Sequence, residues 1–325
     1  MLNFKKRKSM MIMHKILKSL LICLLVCFLL FAGWGLYIGN YLYDYTLNPY
    51  ASRNIAEKMM VDETKKKESH AWLSQNSQDV YIKSEDDLDL HGYWIDQGSQ
   101  VCVIMVHGYR SDGASILTPI KKMKNWGYNL LVPDLRGHGQ SEGDYIGMGW
   151  DDRLDILDWI SYILEISPYT DIILYGVSMG GATVLNASGE DLPKQVKAVI
   201  EDCGYTRVWD IFQSHIDMSE MESTIALHLA SLVTKVRAGY LLGEVSPIEQ
   251  VKKSHVPTLF IHGEKDNFVP VSMAEELYQA CTAPKEKLII PGANHANSCA
   301  VDSKLYFSTI QTFIQKYSPY ASQAS

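Results

Sequence analysis

This 325-residue sequence lacks clustered cysteines and lacks a basic surface. Its six cysteines include no CxxC pair and no other metal-type spacing, so we expect no zinc site, and no metal or organic cofactor is predicted. Six of the 30 Lys and Arg residues lie in the first 18 positions, which leaves 24 basic against 37 acidic residues in the rest of the chain. Because nucleic acids bind clustered positive charge, no nucleic-acid partner is expected.

One stretch near the N-terminus lacks charge altogether. Residues Ser19 to Tyr43 contain no charged side chain, and about 20 apolar residues suffice for a helix to cross a bilayer. Lys and Arg precede this run, and aromatic side chains gather at its far end. The positive-inside rule therefore predicts a basic cytoplasmic tail over 1–18, a single-pass signal-anchor helix over 19–43 and an extracytoplasmic body. The alternative is a signal peptide cleaved near "GWG" (33–35), giving a secreted protein, but the length of the run favours the anchor.

The rest of the chain divides into a linker and one large domain. Residues 44–78 are polar and compatible with helix, which predicts a solvated linker or stalk. From residue 79 onward, a hairpin formed by "DVYIKS" and "LDLHGYWI" precedes apolar strands that alternate with amphipathic helices. The six further predicted strands are Val101–Val106, Tyr128–Pro133, Asp171–Tyr175, Val196–Glu201, Thr258–Ile261 and Lys287–Ile290. This order predicts an α/β fold over 79–325, with a mostly parallel eight-stranded sheet covered by helices on both faces.

A long helix-like insertion interrupts this alternation at about 205–256. Segments inserted at the carboxyl ends of parallel strands lie where ligands bind, so the insertion is predicted to form a helical cap over a pocket. The alternative is that two extra helices simply pack on the core.

The stretch "DIILYGVSMGGATVL" places a single serine between glycines. Ser178 has Gly176 two residues before it and Gly180 two residues after it, in the pattern G-x-S-x-G. An apolar strand ends at Tyr175 and an Ala/Gly-rich helix starts at Met179. Such a sharp strand-to-helix turn needs small neighbours and exposes the serine hydroxyl at a helix N-terminus, where developing negative charge is stabilised. The motif predicts that Ser178 is a nucleophile.

A serine nucleophile needs a base to take its proton and an acid to orient that base. Asp266 follows one late strand, in "TLFIHGEKDNFVP", and His295 follows the next strand, in "KLIIPGANHANS". The order Ser178, Asp266, His295 is the order expected for this strand arrangement. Asp202, at the end of an earlier strand, is the rival acid, because triads are defined by geometry and not by sequence position.

Two backbone N–H groups are needed to bind an oxyanion. Met179, directly after the nucleophile, is predicted to supply one, and Tyr109, in the loop "HGYR" after a strand, the other. His107 and His138 lie in glycine-rich loops after earlier strands, which suits roles in holding the backbone better than base catalysis.

From about Val80 to the C-terminus the chain resembles the α/β-hydrolase superfamily, through "HGYRS", "PDLRGHGQSEG", "GVSMGG", "HGEKDNFVP" and "GANH". It resembles in particular bacterial membrane-anchored hydrolases related to the serine aminopeptidase and monoacylglycerol lipase-like branch. The resemblance implies Ser178 as nucleophile, His295 as base and Asp266 as acid. It also implies Tyr109 and Met179 as oxyanion donors, and a loop near the site shaped by Asp134, Arg136, Gly137 and His138.

The leading hypothesis is a membrane-bound serine hydrolase that cleaves a small-molecule carboxylic ester through an acyl-enzyme. A lipid or a peptide is an alternative source of the acyl group, and a peptidase or amidase with the same triad is the second hypothesis. No glutamate pair for binding a peptide amino group can be recognised in the sequence, which favours the ester. A third hypothesis is a non-catalytic surface binding protein, because a fold alone does not establish activity.

Overall fold

The computed structural model describes residues 2–51, 63–216 and 219–322. Within them the strands are β1 (Gln78–Lys83), β2 (Asp89–Ile95), β3 (Val101–Val106), β4 (Asn129–Pro133), β5 (Asp171–Val177), β6 (Val196–Asp202), β7 (Thr258–Gly263) and β8 (Lys285–Ile290). The α-helices are α1 (Leu2–Thr46), α2 (Glu63–Asn76), α3 (Leu117–Asn125), α4 (Asp152–Ile166), α5 (Met179–Ser188), α6 (Val208–His215), α7 (Glu220–Ala238), α8 (Pro247–Val251), α9 (Val271–Ala280), α10 (Ser298–Val301) and α11 (Ser303–Tyr317).

The predicted eight-stranded, mostly parallel sheet is confirmed, with the strand order β1-β2-β4-β3-β5-β6-β7-β8. β2 pairs antiparallel with β1 and β4, and the remaining pairs are parallel. Every residue of β3, β4, β5 and β7 is buried. Helices cover both faces of the sheet, and burial on two faces explains why these strands show no polar alternation.

Three central strands run further than the sequence indicated. β5, β6 and β7 end at Val177, Asp202 and Gly263, one or two residues beyond the predicted ends. The reason lies in the pairing: Val177 pairs with Asp202, and Asp202 pairs with Ile261. The sheet therefore remains intact up to the loops at its carboxyl edge, where the candidate site lies.

The insertion after β6 contains α6, α7 and α8. α8 packs against α5 on the sheet, as in the alternative of ordinary core packing. α6 and α7 instead pack on each other, and α7 packs along α1. We call α6 and α7 the cap.

The N-terminal helix is joined to the cap by a close helix–helix contact. Residues Ser9–Thr46 of α1 are long and apolar enough to span a membrane. A Cβ atom added at Gly39 would lie 2.8 Å from the carbonyl oxygen of Leu229 and 2.8 Å from Cγ2 of Val233, both in α7. Gly35, one turn earlier, faces Leu229 as well. The spacing G-x-x-x-G lets two helix backbones approach in this way.

The end of the predicted anchor helix and the start of the predicted linker are both part of the core. Leu42, Tyr43 and Leu47 are buried in the same apolar cluster as the sheet, and the N–H of Ile146 donates to the carbonyl of Leu47. The expectation of a solvated stalk beginning at residue 44 is therefore wrong for the chain that follows α1, because this chain packs on the body. α2 packs on the body too, through the fully buried Leu73, and residues 52–62 lie outside the described part.

Gly39→Ala should weaken the α1–α7 contact, because the new methyl group meets the backbone of α7. We expect a loss of about 1–3 kcal/mol in the free energy of unfolding, as for other overpacked sites. Thermal unfolding of the full chain in detergent should show a midpoint lowered by several degrees. Gly33→Ala is the matched control, since a Cβ there meets nothing within 4 Å. Equal midpoints for the two variants would contradict the contact.

Candidate active site

Ser178 stands at the turn between β5 and α5 in a strained backbone conformation. Its φ is 57° and its ψ is −119°, a region that costs a non-glycine residue about 1–3 kcal/mol. The flanking glycines show why the turn needs them. A Cβ at Gly176 would lie 2.1 Å from the carbonyl oxygen of Gly180, and a Cβ at Gly180 would lie 2.2 Å from that of Val106.

Three of the predicted site residues lie within hydrogen-bonding distance in series. The hydroxyl of Ser178 donates to Nε2 of His295 over 2.8 Å, and Nδ1–H of His295 donates to Oδ2 of Asp266 over 2.7 Å. The backbone N–H groups of Phe268 and Val269 donate to the other carboxylate oxygen of Asp266. Burial alone would raise the pKa of Asp266, but hydrogen bonds from the neighbouring histidines and the backbone hold it well below its usual value. Asp266 is therefore an anion that can orient the ring and stabilise its cation.

The rival carboxylate of Asp202 has a different partner. It accepts a hydrogen bond from the hydroxyl of Tyr306 over 2.8 Å, and its backbone carbonyl accepts the N–H of Ser178 over 2.7 Å. Burial raises the pKa of Asp202 to about 6. In the structure, Asp266 is therefore the carboxylate bonded to His295, and Asp202 instead holds the backbone of Ser178.

The two predicted oxyanion donors flank the serine. Met179 is the first residue of α5, directly after Ser178. The loop carrying Tyr109 passes close by, since a Cβ at Gly108 would lie 3.4 Å from Cβ of Ser178. Within the described part of the chain, neither the Tyr109 nor the Met179 N–H has a hydrogen-bond acceptor. Both donors are thus available to a ligand beside the serine.

Two histidines hold the loop that carries Tyr109. Nε2 of His107 accepts the N–H of Leu135, and Nδ1–H donates to the carbonyl of Gly108. Nε2 of His138 accepts the N–H of Arg110, the residue after Tyr109. Burial lowers the pKa of both rings, that of His138 to about 3, so both stay neutral and keep an acceptor nitrogen.

The chain that leaves α1 also holds this loop, a contact that the sequence reasoning missed. The hydroxyl of Tyr109 donates to the carbonyl of Thr46 over 2.6 Å. Arg110, whose φ of 51° is unusual for a non-glycine residue, donates from its guanidinium to the carbonyls of Asn48 and Pro49 and to the hydroxyl of Tyr109. The end of the N-terminal helix is therefore bonded to the proposed oxyanion loop.

The sequence reasoning also missed two buried polar residues near Asp266, His262 and Glu201. Nε2–H of His262 donates to the carbonyl of Val269 over 2.8 Å and lies 3.4 Å from Oδ2 of Asp266. Glu201 lies close enough to His262 for its charge to raise the pKa of that ring, and burial raises the pKa of Glu201 to about 8. No local pattern marks His262 or Glu201, because both lie inside apolar strands.

Cys203, Asp266 and His295 bring potential metal-ligand atoms within 4.8 Å of one another. Both ring nitrogens of His295 are already engaged, Nε2 by the hydroxyl of Ser178 and Nδ1 by the carboxylate of Asp266. Burial raises the pKa of the Cys203 thiol well above its usual value, so the thiolate that a metal needs is disfavoured. This donor set fits a hydrogen-bonded site better than a metal centre.

The cap reaches the site through two ring contacts. The ring of Phe268 lies 5.0 Å from that of His295, measured between centroids. The ring of His215, at the end of α6, lies 4.3 Å from that of Phe268. The cap helix α6 is thus connected to His295 through the ring of Phe268.

Two family models and several curated relatives match this chain. The model described as "Serine aminopeptidase, S33" matches residues 97–246, and the model described as "Serine hydrolase (FSH1)" matches 215–296. The uncharacterized protein YqkD of Bacillus subtilis is 28% identical over 236 residues, which cover 72% of this chain and 77% of that protein. The AB hydrolase superfamily protein YisY of the same organism is 25% identical over 260 residues, covering 69% and 94%.

Solved structures of similar fold include esterases. The esterase Pf2001 of Pyrococcus furiosus aligns with a TM-score of 0.63 and 25% identity, over 76% of this chain and 95% of that chain. A thermophilic esterase from Thermogutta terrifontis aligns with a TM-score of 0.55 at 17% identity, over 74% and 99%, and shows the fold alone. The chain has the α/β-hydrolase fold and is similar to serine hydrolases of the serine aminopeptidase-like branch.

Tyr109→Phe should misplace the oxyanion loop, since it removes the hydroxyl that bonds Thr46 and Arg110 but keeps the backbone N–H. Losing an oxyanion donor outright costs about 10²–10³ in rate, so a displaced one should lower kcat by roughly 10-fold with little change in KM. The turnover of one acyl substrate by the wild type and by the variant measures this loss. Tyr205→Phe is the control, because it also deletes a hydroxyl bonded to a backbone carbonyl, that of Met148. A similar loss in both variants would argue against a specific role of the Thr46 contact.

Proposed function

We propose that the protein hydrolyses carboxylic esters of acyl substrates through a Ser178–His295–Asp266 triad. The observation that carries the proposal is the hydrogen-bonded series of these three side chains, beside two N–H groups that no acceptor in the described residues engages. A series of this kind activates a hydroxyl that is otherwise a poor nucleophile.

In the first half of the reaction, Oγ of Ser178 attacks the acyl carbonyl while Nε2 of His295 takes its proton. The carbonyl oxygen becomes an anion, which the N–H groups of Tyr109 and Met179 stabilise. The Asp266 anion stabilises the imidazolium that forms. His295 then gives its proton to the leaving alkoxide, the bond from the acyl carbon to that oxygen breaks, and an acyl-enzyme remains on Ser178.

The second half repeats these roles with water. His295 takes a proton from a water molecule, the hydroxide attacks the acyl carbonyl, and the same two N–H groups bind the oxyanion. The proton then returns to Oγ of Ser178 and the carboxylic acid leaves. Only protein groups and water take part in these steps.

The choice of an ester rests on the neighbours and on the sequence. The esterase Pf2001 supports it as a structural neighbour. The name of the matching family model, a serine aminopeptidase, favours a peptidase as the second candidate. Comparing a p-nitrophenyl ester with an aminoacyl-arylamide separates the two, and faster amide cleavage would reverse the order.

Substitution of the four candidate residues tests the mechanism. Ser178→Ala and His295→Ala should each lower kcat for p-nitrophenyl butyrate by at least about 10⁴-fold. Asp266→Asn should lose about 10³–10⁴-fold, since the ring of His295 loses its orienting anion. Asp202→Asn should lose less than about 10-fold, because its carboxylate bonds Tyr306 and not His295. Circular dichroism should show all four folded. A larger loss for Asp202→Asn than for Asp266→Asn would exchange their roles, and an active Ser178→Ala would refute the triad.

We further propose that α1 keeps the protein in the cytoplasmic membrane, with residues 1–18 inside the cell and the catalytic domain outside. The basic segment and uncharged run support this orientation. Protease added to intact cells should degrade the catalytic domain, while a cytoplasmic marker protein stays whole. Full protection of the domain would contradict this topology, and recovery of a shortened chain in the medium would favour the cleaved alternative.

A further inference from the structure

The cap helix α7 exposes a stripe of large apolar side chains. Its large exposed apolar residues are Met221, Ile225, Leu232 and Val236, and the last two are 62% and 85% exposed. At 100° per residue these four positions fall within about 60° of arc, so they form one stripe. The buried face carries small, hydroxylated and aliphatic side chains: Ser223, Ala226, Leu227, Ala230, Ser231, Val233, Thr234 and Ala238. A helix at a water-exposed surface would instead carry polar and charged side chains along its exposed face.

This stripe adjoins the apolar surface of α1. The two helices enclose a groove of about 280 Å³, to which Phe31 and Leu36 of α1 and Leu232 and Val236 of α7 contribute. Phe31 and Leu36 are themselves largely exposed. Because α1 is the segment able to span a membrane, whatever surrounds this part of α1 surrounds the stripe as well.

The charges of α7 stand at its two ends. Glu220 and Glu222 lie in the first turn and Lys235 and Arg237 in the last. Arg237 donates to Asp44 over 3.0 Å, at the end of α1 that joins the body. The four residues of the stripe carry no charge, so this face of α7 can contact acyl chains while its other faces pack on α1 and α6. The uncharged run of α1 would be about 37 Å long as a helix, which is longer than the hydrocarbon core of roughly 30 Å. We therefore expect α1 to tilt in the membrane, which can bring α7 close to the membrane surface.

We propose that the stripe of α7 rests in the acyl boundary of the leaflet next to the catalytic domain, and that the substrate is an ester lipid drawn from that leaflet. The second part rests on the proposed function. Two contacts connect this surface to the site. The end of α1 is bonded to the loop of Tyr109, and α6, which packs on α7, contacts Phe268, whose ring lies against His295. The two helices that form the groove are therefore connected to the two loops that carry Tyr109 and His295.

The position of the stripe is tested with a fluorescent label in full-length protein reconstituted into phosphatidylcholine vesicles. Cys23, Cys27 and Cys299, which are not buried, are first replaced by alanine, and an NBD group is attached at Leu232→Cys. Nitroxide lipids should quench this label at least twofold more than iodide in the water does. The same label at Ile166→Cys is the control, because Ile166 is exposed at the opposite edge of the sheet, just before β5, and should show the reverse preference.

Quenching of the Leu232→Cys label mainly by iodide would overturn the proposal. Protection from both quenchers would overturn it too, and would indicate that a second copy of the chain covers the stripe.

The substrate class is tested with two esters of one fluorophore, 4-methylumbelliferyl butyrate in water and 4-methylumbelliferyl oleate in vesicles. The variant Leu232→Gln/Val236→Gln should lose at least tenfold more activity on the oleate than on the butyrate. Ile166→Gln/Leu305→Gln, which changes two exposed aliphatic residues away from the stripe, should keep the wild-type ratio. An unchanged ratio in the α7 variant would overturn the lipid assignment. A wild type that cleaves neither ester would refute the proposed function, while the quenching result would still decide where α7 lies.

Discussion

The contact of three backbone segments around Ser178 is the constraint on which the site depends. Gly176 and Gly180 let the end of β5, the start of α5 and the end of β3 approach more closely than any side chain would allow. This approach holds Ser178 at a positive φ, directly after the carboxyl end of β5. Since β3 leads directly into the loop of Tyr109, the same contact brings both free N–H groups beside the serine. The strain, about 1–3 kcal/mol, is stored where the chemistry is expected.

Around this fixed centre, two elements from distant parts of the chain complete the surroundings. The end of α1 bonds the loop of Tyr109, and the cap reaches His295 through the ring of Phe268. α1 and the cap also pack on each other through Gly39. The helix that would anchor the protein thus contacts both the loop of Tyr109 and the cap. Movement of α1 relative to the body would displace the loop of Tyr109, and would thereby couple the proposed membrane attachment to the proposed reaction.

The sequence predicted those features that follow from local pattern. Apolar strands, the tight turn at Ser178 and the loops carrying Asp266 and His295 each show in a few consecutive residues. It left open whether Asp202 or Asp266 faces His295, because that depends on where two loops meet in space. It missed the role of residues 46–49, whose contribution is made by backbone carbonyls that accept from Tyr109 and Arg110. The G-x-x-x-G spacing in α1 is visible, but its partner Leu229 lies some 190 residues away and cannot be read from it.

The central claim is that Ser178 is an activated nucleophile. Purified wild-type protein and the Ser178→Ala variant, both shown to be folded, should be treated with a fluorescent fluorophosphonate, and the modified peptide identified by mass spectrometry. The account predicts one covalent adduct on Ser178 in the wild type and none in the variant. A folded wild type that takes up no label, or one labelled at another residue, would contradict it, and the binding-protein hypothesis would then have to replace the hydrolase mechanism.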